Sequence, residues 1–262
     1  MEIILRWPGA KWRLADWIIN MFPKHAVYCE PFFGSGAVFF KKTRSGTETI
    51  NDIDGNVVNL FRVVRNSADE LARVLEMTPY SREEYQQTYE QTNNDIEIAR
   101  QFLVRIWQGF GGGTDRKRGW RHDRSGTVYM PRYWSMLPER ILNAAERLKV
   151  AQIENMDALE LINLYNRPKV LLYIDPPYLK TTRTQLHYQN EFSTIEQHKK
   201  LLQLCRKHQG YIVISAYEND LYNSELEGWE KRSMRVSTNG ANSAVETVYL
   251  NPACTREMSL FG

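Results

Sequence analysis

A rigid polar tetrapeptide, Asp175-Pro176-Pro177-Tyr178, directly follows the apolar run Val170–Ile174. The apolar run predicts a buried strand, so the tetrapeptide is expected at the carboxyl end of a strand, where open α/β sheets bind ligands. Two adjacent prolines fix their φ angles and donate no N–H, which leaves nearby carbonyls as rigid acceptors. A carboxylate, a fixed carbonyl and an aromatic face suit a planar base with an exocyclic amine. The structural alternative is a proline turn with the tyrosine packed locally.

A second motif lies upstream, where Val27–Glu30 predicts a short strand and Pro31-Phe32-Phe33-Gly34-Ser35-Gly36 follows it. Glycines in such a turn let a ligand approach the backbone closely. A dinucleotide fingerprint needs a third glycine near position 39, where this chain has Phe39, so that class of cofactor is excluded. Another strand is expected to end near Asn51, which places Asp52 to accept hydrogen bonds from ribose hydroxyls. The two motifs together predict an adenosine-type cofactor without a pyrophosphate.

The order and content of these motifs resemble the S-adenosylmethionine-dependent DNA adenine-N6 methyltransferases of the Dam-like family, in particular their phage and prophage branch. The resemblance covers most of the chain. It is carried by Arg6-Trp7-Pro8-Gly9-Ala10-Lys11 (similar to K-W-x-G-x-K), Glu30 to Gly36 (similar to P-F-x-G-x-G), Asp52, Asp157, Asp175 to Tyr178, and Ser215-Ala216-Tyr217, where the family often has S-N-Y. The cofactor half precedes the tetrapeptide, as in the α group of amino-methyltransferases. An aspartate at the first position of the tetrapeptide implies adenine N6, because the N4-cytosine enzymes usually have serine there.

The resemblance implies an α/β class I S-adenosylmethionine-dependent methyltransferase fold, which is a Rossmann-like mixed sheet with an inserted, mainly helical lobe. Residues 1–65 and 149–262 would form the catalytic and cofactor-binding domain, and residues 66–148 the DNA target-recognition lobe. A length of 262 residues suits one domain with a smaller lobe. The apolar pattern predicts strands near residues 27–30, 48–51, 151–154, 170–174, 211–215 and 245–250.

The resemblance also implies roles for individual residues. The cofactor-binding residues would be Trp7, Lys11, Glu30, Pro31, Phe32, Gly34, Gly36, Asp52, Asp157 and Asp175, and the catalytic residues Asp175, Pro176, Pro177 and Tyr178. Lys11 and Trp7 would hold the methionine end of the cofactor. Lys11 suits its carboxylate as a point charge, and the alternative role for Trp7 is that of a core anchor. Asp175 and the Pro176 carbonyl would accept the two amine hydrogens of a flipped-out adenine, and Tyr178 would stack on the base. Tyr188 and Phe192 lie in the loop after the tetrapeptide. They would close over the flipped base, or they would only pack that loop.

A basic segment at residues 114–124, with Gly109, Gly111, Gly112, Gly113 and Gly119 around it, is the predicted contact with double-stranded DNA. Its basic and aromatic members are Arg116, Lys117, Arg118, Trp120, Arg121 and Arg124, against two aspartates. Such a loop can follow a phosphate backbone and insert a side chain; the alternative is an ordinary solvated loop. The formal net charge of +3 for the whole chain does not decide between them. The segment lacks the N-G-x-x-R-x-N pattern of the GATC enzymes, so no target sequence follows from the resemblance.

The C-terminal residues Glu257-Met258-Ser259-Leu260-Phe261 resemble the Q-L-S-L-F peptide with which bacterial proteins dock on the replication sliding clamp. Leu260 and Phe261 would be adjacent apolar anchors, and such anchors dominate peptide affinity. We therefore expect weak, tail-dependent clamp binding through Met258 to Phe261. The alternative is a tail whose leucine and phenylalanine fold back onto the domain.

Composition limits the remaining possibilities. Cys29, Cys205 and Cys254 form no C-x-x-C pair, so neither a zinc site nor a disulfide framework is predicted and no metal is expected. No apolar run has the length of a membrane span, and no signal peptide is expected. The expected location is the cytoplasm of a bacterial or phage-infected cell, at the nucleoid. Two alternatives stay open: an N4-cytosine or RNA amino-methyltransferase on the same scaffold, and a non-catalytic DNA-binding relic.

Overall fold

The structure is a computed structural model that describes residues 2–111, 117–122, 129–179, 192, 194–237 and 243–260, with backbone alone at 236–237, 243–244 and 260. The strands in these ranges are β1 (Val27–Glu30), β2 (Thr47–Asn51), β3 (Ala151–Glu154), β4 (Val170–Ile174), β5 (Tyr211–Tyr217), β6 (Glu230–Ser237) and β7 (Ser243–Leu250). The helices are α1 (Ala15–Ile19), α2 (Ala37–Lys41), α3 (Gly55–Asn66), α4 (Ala68–Met77), α5 (Arg82–Gln87), α6 (Asp95–Gln108), α7 (Met130–Trp134), α8 (Leu137–Leu148), α9 (Ala158–Leu164), α10 (Ile195–Lys207), α11 (Asp220–Glu225) and α12 (Pro252–Leu260).

The strands form one mixed sheet in the order β3-β2-β1-β4-β5-β7-β6. The first five strands in this order are parallel to one another, whereas β7 runs antiparallel to both β5 and β6. The central strand β4 is buried along its whole length, as expected for a parallel strand with both faces covered. A parallel sheet with a reversed seventh strand inserted next to β5 is the class I methyltransferase arrangement. The fold expected from the resemblance is therefore confirmed.

Alternate residues of β4 enter two different apolar cores. Leu171 and Tyr173 belong to the core that includes α1 to α4, α6 and α8, whereas Leu172 and Ile174 belong to the core that includes α9, α10 and α11. This alternation is the period-two geometry of a strand. Within the described ranges, no helix combines the length and the apolar content that crossing a membrane requires.

The helices between residues 66 and 148 share the first core with the sheet. Their most direct anchor is Arg147 of α8, which forms a buried ion pair with Glu48 of β2 and donates to the carbonyl of Phe39 at 3.0 Å. Lys42 pairs with the same Glu48 at 2.5 Å, so two cations share one buried carboxylate. The helix α8 is thus fastened to the sheet. The division into a domain and a lobe at residues 66 and 148 stays a prediction.

Candidate active site

The carboxyl ends of the parallel strands open into one cleft with a volume of about 800 Å³. Its walls come from the segment 7–11 and from the loops that follow β1, β2, β3 and β4. Each predicted cofactor residue except Gly36 lines this cleft, and so does the whole tetrapeptide 175–178. The structure therefore brings together, at one edge of the sheet, residues that are more than 160 positions apart in the sequence, such as Lys11 and Asp175.

Two glycines shape the loop after β1, because aromatic rings occupy the space beside them. Gly34 has a φ of 48°, and a Cβ at this position would lie 2.6 Å from the indole Cδ1 of Trp7. Gly36 has a φ of 66°, and a Cβ there would lie 2.3 Å from the ring of Phe33. Other residues rarely adopt these angles. Gly36 is the residue that precedes α2, and it does not itself line the cleft.

Asn51, the last residue of β2, fastens the loops after β1 and β3 to each other. Its Nδ2 donates to the carbonyls of Pro31 at 2.9 Å and Met156 at 3.1 Å, and its Oδ1 accepts from the Met156 N–H at 2.9 Å. The sequence analysis noted Asn51 only as a strand end. A buried amide beside Asp52 was the available signal, but its partners lie 20 and 105 residues away.

Asp52 and Asp157 carry the two predicted adenosine contacts. The Asp52 carboxylate accepts from the N–H groups of Gly34 at 2.8 Å and Asp54 at 3.0 Å. Burial raises the pKa of Asp52 to about 6, although these hydrogen bonds act in the opposite direction. Asp157 caps α9, since its Oδ1 accepts from the N–H groups of Leu159 and Glu160 at 2.8 and 3.1 Å. Both carboxylates are thus held by backbone groups at the rim of the cleft.

Lys11 lies at the centre of the cleft wall and is only 5% exposed. Its Nζ donates to the Gly9 carbonyl at 3.0 Å, to Asp175 Oδ1 at 2.9 Å and to the Tyr178 hydroxyl at 2.6 Å. Burial alone would lower the pKa of Lys11, but the Asp175 and Glu246 carboxylates outweigh it and raise that pKa above its ordinary value. An ammonium has three hydrogens. A bond to a methionine carboxylate would therefore replace one of these contacts.

Glu246 on β7 is a buried carboxylate that the sequence analysis missed. The Tyr178 hydroxyl lies 3.0 Å from both of its oxygens, and the Ser215 hydroxyl donates to Oε1 at 2.7 Å. Lys11 Nζ lies 3.7 Å from the same Oε1. The signal in the sequence was a single glutamate in the otherwise uncharged run 243–250. Its partners lie on other elements, so the pattern alone did not identify them.

The aromatic part of the tetrapeptide is stacked in the structure. The rings of Tyr178 and Tyr217 lie 4.2 Å apart with 30° between their planes, so one face of Tyr178 is covered by the end of β5. Phe192 lines the cleft and contacts Phe32 and His198 with ring centres 5.3 and 5.1 Å apart. Tyr188 lies outside the described residues. The structure thus places Phe192 in the cleft wall.

Acidic groups dominate the electrostatics of the cleft. Burial raises the pKa of Glu30 to about 8, against the hydrogen bond that it accepts from Tyr28 at 2.7 Å. Burial also raises the pKa of Asp175 to about 6; Lys11 lowers it and Glu246 raises it further. Among the described residues that line the cleft, the acidic ones are Glu30, Asp52, Asp54, Asp157 and Asp175, against one basic residue, Lys11. The cleft therefore favours a ligand that carries positive charge.

The predicted DNA-binding segment is only partly described, because Arg116 and Arg124 lie outside the described residues. Lys117 is exposed, with its Nζ 4.6 Å from the ring centre of Tyr89, and the carbonyl of Arg118 accepts from the Tyr85 hydroxyl at 2.7 Å. Burial, followed by the nearby charge of Arg121, holds the pKa of Arg6 below its ordinary value. Two arginines are thus close together beside the cleft segment 7–11.

Trp120 is packed within the chain. Its ring lies 5.8 Å from that of Tyr80 and 5.6 Å from that of His122, and Arg82 lies 4.9 Å from its ring centre. Its indole N–H donates to Gln108 at 3.4 Å. The structure therefore shows a half-buried tryptophan at this position, and its predicted contact with DNA stays a prediction.

The C-terminal segment is helical as far as the structure describes it. Met258 and Ser259 belong to α12, which begins at Pro252. The Leu260 side chain and Phe261 lie outside the described residues, so the predicted clamp contact stays a prediction. Across the described part of the chain, no group of three or more His, Cys, Asp or Glu residues is arranged to hold a metal ion.

The mixed sheet, with the cleft at its carboxyl edge, is a class I methyltransferase fold. Residues 7–238 match the model of the D12 class N6 adenine-specific DNA methyltransferases, and the chain belongs to that family. This confirms the family and the enzyme class expected from the sequence.

The chain is similar, to different degrees, to individual proteins that are named as methyltransferases. The chain is 26% identical over 211 residues to the type II methyltransferase M.MjaIII of Methanocaldococcus jannaschii, which is 70% of this chain and 72% of that protein. It is also 39% identical to the DNA adenine methylase of Haemophilus influenzae over 66 residues. That match covers 25% of this chain and only 23% of that relative. A solved structure of a putative methyltransferase from Streptococcus mutans in complex with SAH is 8% identical, with a TM-score of 0.40 over 90% of this chain and 95% of that one.

Proposed function

We propose that this protein transfers a methyl group from S-adenosylmethionine to N6 of an adenine in double-stranded DNA. The observation that carries the proposal is the position of Asp175, which is held 2.9 Å from Lys11 at the end of β4 and lines the same cleft as Gly34 and Asp52. The proposed amine acceptor and the proposed adenosine contacts thus line one cavity. Membership of the adenine-specific family supports the same reaction.

The residues of the cleft fit such a cofactor. The positive-φ loop at Gly34 allows close approach of a ligand, and the buried Tyr173 hydroxyl, on the cleft wall, has no hydrogen-bond partner among the described residues. When bound, S-adenosylmethionine supplies a methyl group on a positively charged sulfur. Asp52 would accept from its ribose, Asp157 would contact its adenine, and the remaining contacts would come from Trp7, Lys11, Glu30, Pro31 and Phe32.

The chemistry of the chain's own groups follows from what an aromatic amine needs. Its lone pair is delocalised into the ring, so it is a weak nucleophile. The Asp175 carboxylate and the Pro176 carbonyl accept its two hydrogens and orient the lone pair outward. Lys11 fixes the carboxylate, and the two prolines fix the carbonyl. Positioning and electrostatics therefore supply most of the catalysis.

The target base has to leave the duplex to reach Asp175, which costs a few kcal/mol. Stacking of a base on an aromatic ring contributes about 1–3 kcal/mol, and Tyr178, whose other face is covered by Tyr217, is the proposed platform. Residues 66–148, with Lys117, Arg118 and Arg121, form the proposed DNA-recognition lobe, and residues 1–65 and 149–262 the catalytic domain. A DNA substrate places the enzyme at the nucleoid.

The proposal is tested by sequencing DNA from cells that express the protein, with a method that detects N6-methyladenine. We expect methylation at one short sequence, and none in cells that express Asp175→Ala. Methylated nucleosides scored after incubation with DNA and RNA distinguish the alternatives. Detection of N4-methylcytosine would indicate an N4-cytosine methyltransferase, and detection of methylated RNA an RNA methyltransferase, instead of the proposed enzyme. Failure of the protein to bind labelled cofactor would indicate a non-catalytic relic.

A further inference from the structure

Glu246 is a buried charge that lies outside the span matched by the family model, which ends at residue 238. It is 2% exposed and does not line the cleft itself. On the sheet it is paired with Tyr217 of β5, whose ring stacks on Tyr178. An isolated buried carboxylate is strongly unfavourable unless it is paired and hydrogen-bonded. Its surroundings therefore indicate a site built to hold this charge.

Two hydroxyl donors and one nearby ammonium compensate the carboxylate of Glu246. The Tyr178 hydroxyl bridges its two oxygens at 3.0 Å each, and the Ser215 hydroxyl donates at 2.7 Å. The Lys11 ammonium lies 3.7 Å away and donates to the same Tyr178 hydroxyl at 2.6 Å. Since the phenol proton goes to Glu246, the phenol oxygen is left to accept from Lys11. The carboxylate thus sets the direction of both hydrogen bonds at Tyr178.

The same arrangement divides one positive charge between two carboxylates. Lys11 donates to Asp175 at 2.9 Å and also faces Glu246. If Lys11 were paired with Asp175 alone, its charge would neutralise the Asp175 carboxylate and weaken that carboxylate as a hydrogen-bond acceptor. With Glu246 present, the three groups together carry one negative charge when all are ionised. Of the two carboxylates, only Asp175 lines the cleft, so the excess negative charge is available where the amine of a substrate would lie.

We propose that Glu246 is a positioning residue for methyl transfer, which orients Tyr178 and shares Lys11 so that Asp175 stays a strong hydrogen-bond acceptor. It acts through these neighbours and contacts neither the base nor the cofactor. The inference rests on the proposed function, because only a reaction at an amine requires that acceptor.

Several charged or titratable groups face Asp175 from the surrounding elements. They are Lys11 from the N-terminal segment, Glu30 from β1, Tyr173 from β4, Tyr178 from the tetrapeptide, Tyr217 from β5, Tyr222 from α11 and Glu246 from β7. Burial is the main cause that raises the pKa of Asp175; Lys11 opposes it, and Glu246 adds to it. Loss of the Glu246 charge is therefore expected to lower the pKa of Asp175.

The test compares Glu246→Gln with Glu218→Gln, a matched control that removes an exposed glutamate paired with Lys231. The carboxyl carbon of Asp175 is titrated by ¹³C NMR in the protein without cofactor or DNA, with Asp175→Asn to assign the signal. We expect the midpoint to fall by at least about half a pH unit in Glu246→Gln and to stay at the wild-type value in Glu218→Gln. An unchanged midpoint in folded Glu246→Gln would overturn the proposal.

Turnover separates positioning from a purely structural role. In Glu246→Gln, kcat at pH 8 should fall at least about tenfold while the KM values for cofactor and DNA change little. Glu246→Asp keeps the charge but withdraws it from Tyr178, so the Asp175 midpoint should stay near the wild-type value while kcat falls. If Glu246→Gln does not fold, wild-type kcat in folded Glu246→Asp overturns the proposal. If the Asp175 midpoint falls in Glu246→Gln but the wild-type protein transfers no methyl group, the proposed function is rejected. The coupling between Glu246 and Asp175 then still stands.

Discussion

The backbone N–H of Gly34 donates to the Asp52 carboxylate at 2.8 Å. This hydrogen bond joins the loop after β1 to the end of β2, so it holds the glycine turn and the predicted ribose acceptor together. The loop depends on glycine for two reasons, since its φ is 48° and the Trp7 indole occupies the position of a side chain.

The first prediction concerns this loop. Gly34→Ala should weaken S-adenosylmethionine binding at least about tenfold, because an added Cβ would meet Trp7 at 2.6 Å and strain the backbone. Gly55→Ala is the matched control, since a Cβ there meets nothing within 4 Å at the start of α3. Isothermal titration calorimetry measures both affinities. Equal affinities for the two variants would contradict the role of the loop.

The second prediction concerns the ionisation of Asp175. Only the carboxylate form accepts both an amine hydrogen and the Lys11 bond, and burial raises the pKa of Asp175 to about 6. The single-turnover rate of methyl transfer should therefore fall as pH decreases through about 6 and level off above it. Asp175→Asn, which keeps the shape of the side chain, should reduce the rate at least about a hundredfold at pH 8. A flat rate between pH 5 and 8, or near-normal turnover in the variant, would contradict the mechanism.

The strands that hold this site were predictable, because β1 and β4 are short apolar runs followed by turn residues. The edge strand β6 was missed because Glu230, Lys231, Arg232 and Arg235 give it the composition of a surface loop. Charged side chains are common on edge strands, where they oppose pairing with another chain. Its place in the sheet depends on antiparallel pairing with β7, which no local pattern specifies.

The site itself was predictable to the extent that its residues follow strand ends. Lys11 was expected at the methionine end of the cofactor, but its hydrogen bonds to Asp175 and Tyr178 depend on elements 164 and 167 residues away. Glu246 was missed for the same reason, since its partner Ser215 belongs to a different strand. Long-range pairing, and not local sequence, decides which charges meet.

The third prediction concerns Glu30 and stability. Burial raises the pKa of Glu30 to about 8 from an ordinary value of 4.5. The stability that its protonated form contributes is therefore complete below pH 4.5 and lost as pH rises through about 8, by an amount on the order of a few kcal/mol. Glu30→Gln cannot lose a proton, so the variant should lose less stability than the wild type between pH 6 and 9. Urea unfolding at pH 6 and pH 9 measures the free energy of unfolding of both proteins. Equal losses of stability in the wild type and in Glu30→Gln would contradict the prediction.

The fourth prediction concerns the Tyr173 hydroxyl, which is buried on the cleft wall without a hydrogen-bond partner among the described residues. A buried hydroxyl without a partner costs about 1–3 kcal/mol. Tyr173→Phe should therefore leave the protein without cofactor equally or more stable, and weaken cofactor binding about threefold to tenfold. Thermal unfolding with and without S-adenosylmethionine measures both effects. An unchanged cofactor affinity would show that the hydroxyl does not contact the cofactor.

The fifth prediction concerns the basic segment. Lys117 is exposed. Two hydrogen bonds fix the backbone of Arg121: its N–H donates to the Gln108 carbonyl at 2.7 Å, and its carbonyl accepts from the Tyr80 hydroxyl at 2.7 Å. Each side chain that contacts a phosphate adds about one to the slope of log K against log salt. The double variant Lys117→Ala, Arg121→Ala should therefore bind duplex DNA more weakly, with a slope smaller by about two.

The matched control for this segment is Lys199→Ala, Lys200→Ala, which removes two exposed positive charges from α10. Both double variants change the net charge equally, so a general electrostatic effect would alter their DNA affinity to the same degree. A contact specific to the basic segment would reduce the slope only in the Lys117, Arg121 variant. Fluorescence anisotropy with a labelled duplex between about 50 and 200 mM salt distinguishes these outcomes. Identical slopes in the two variants would show that the segment is solvated surface and that the phosphate contacts lie elsewhere.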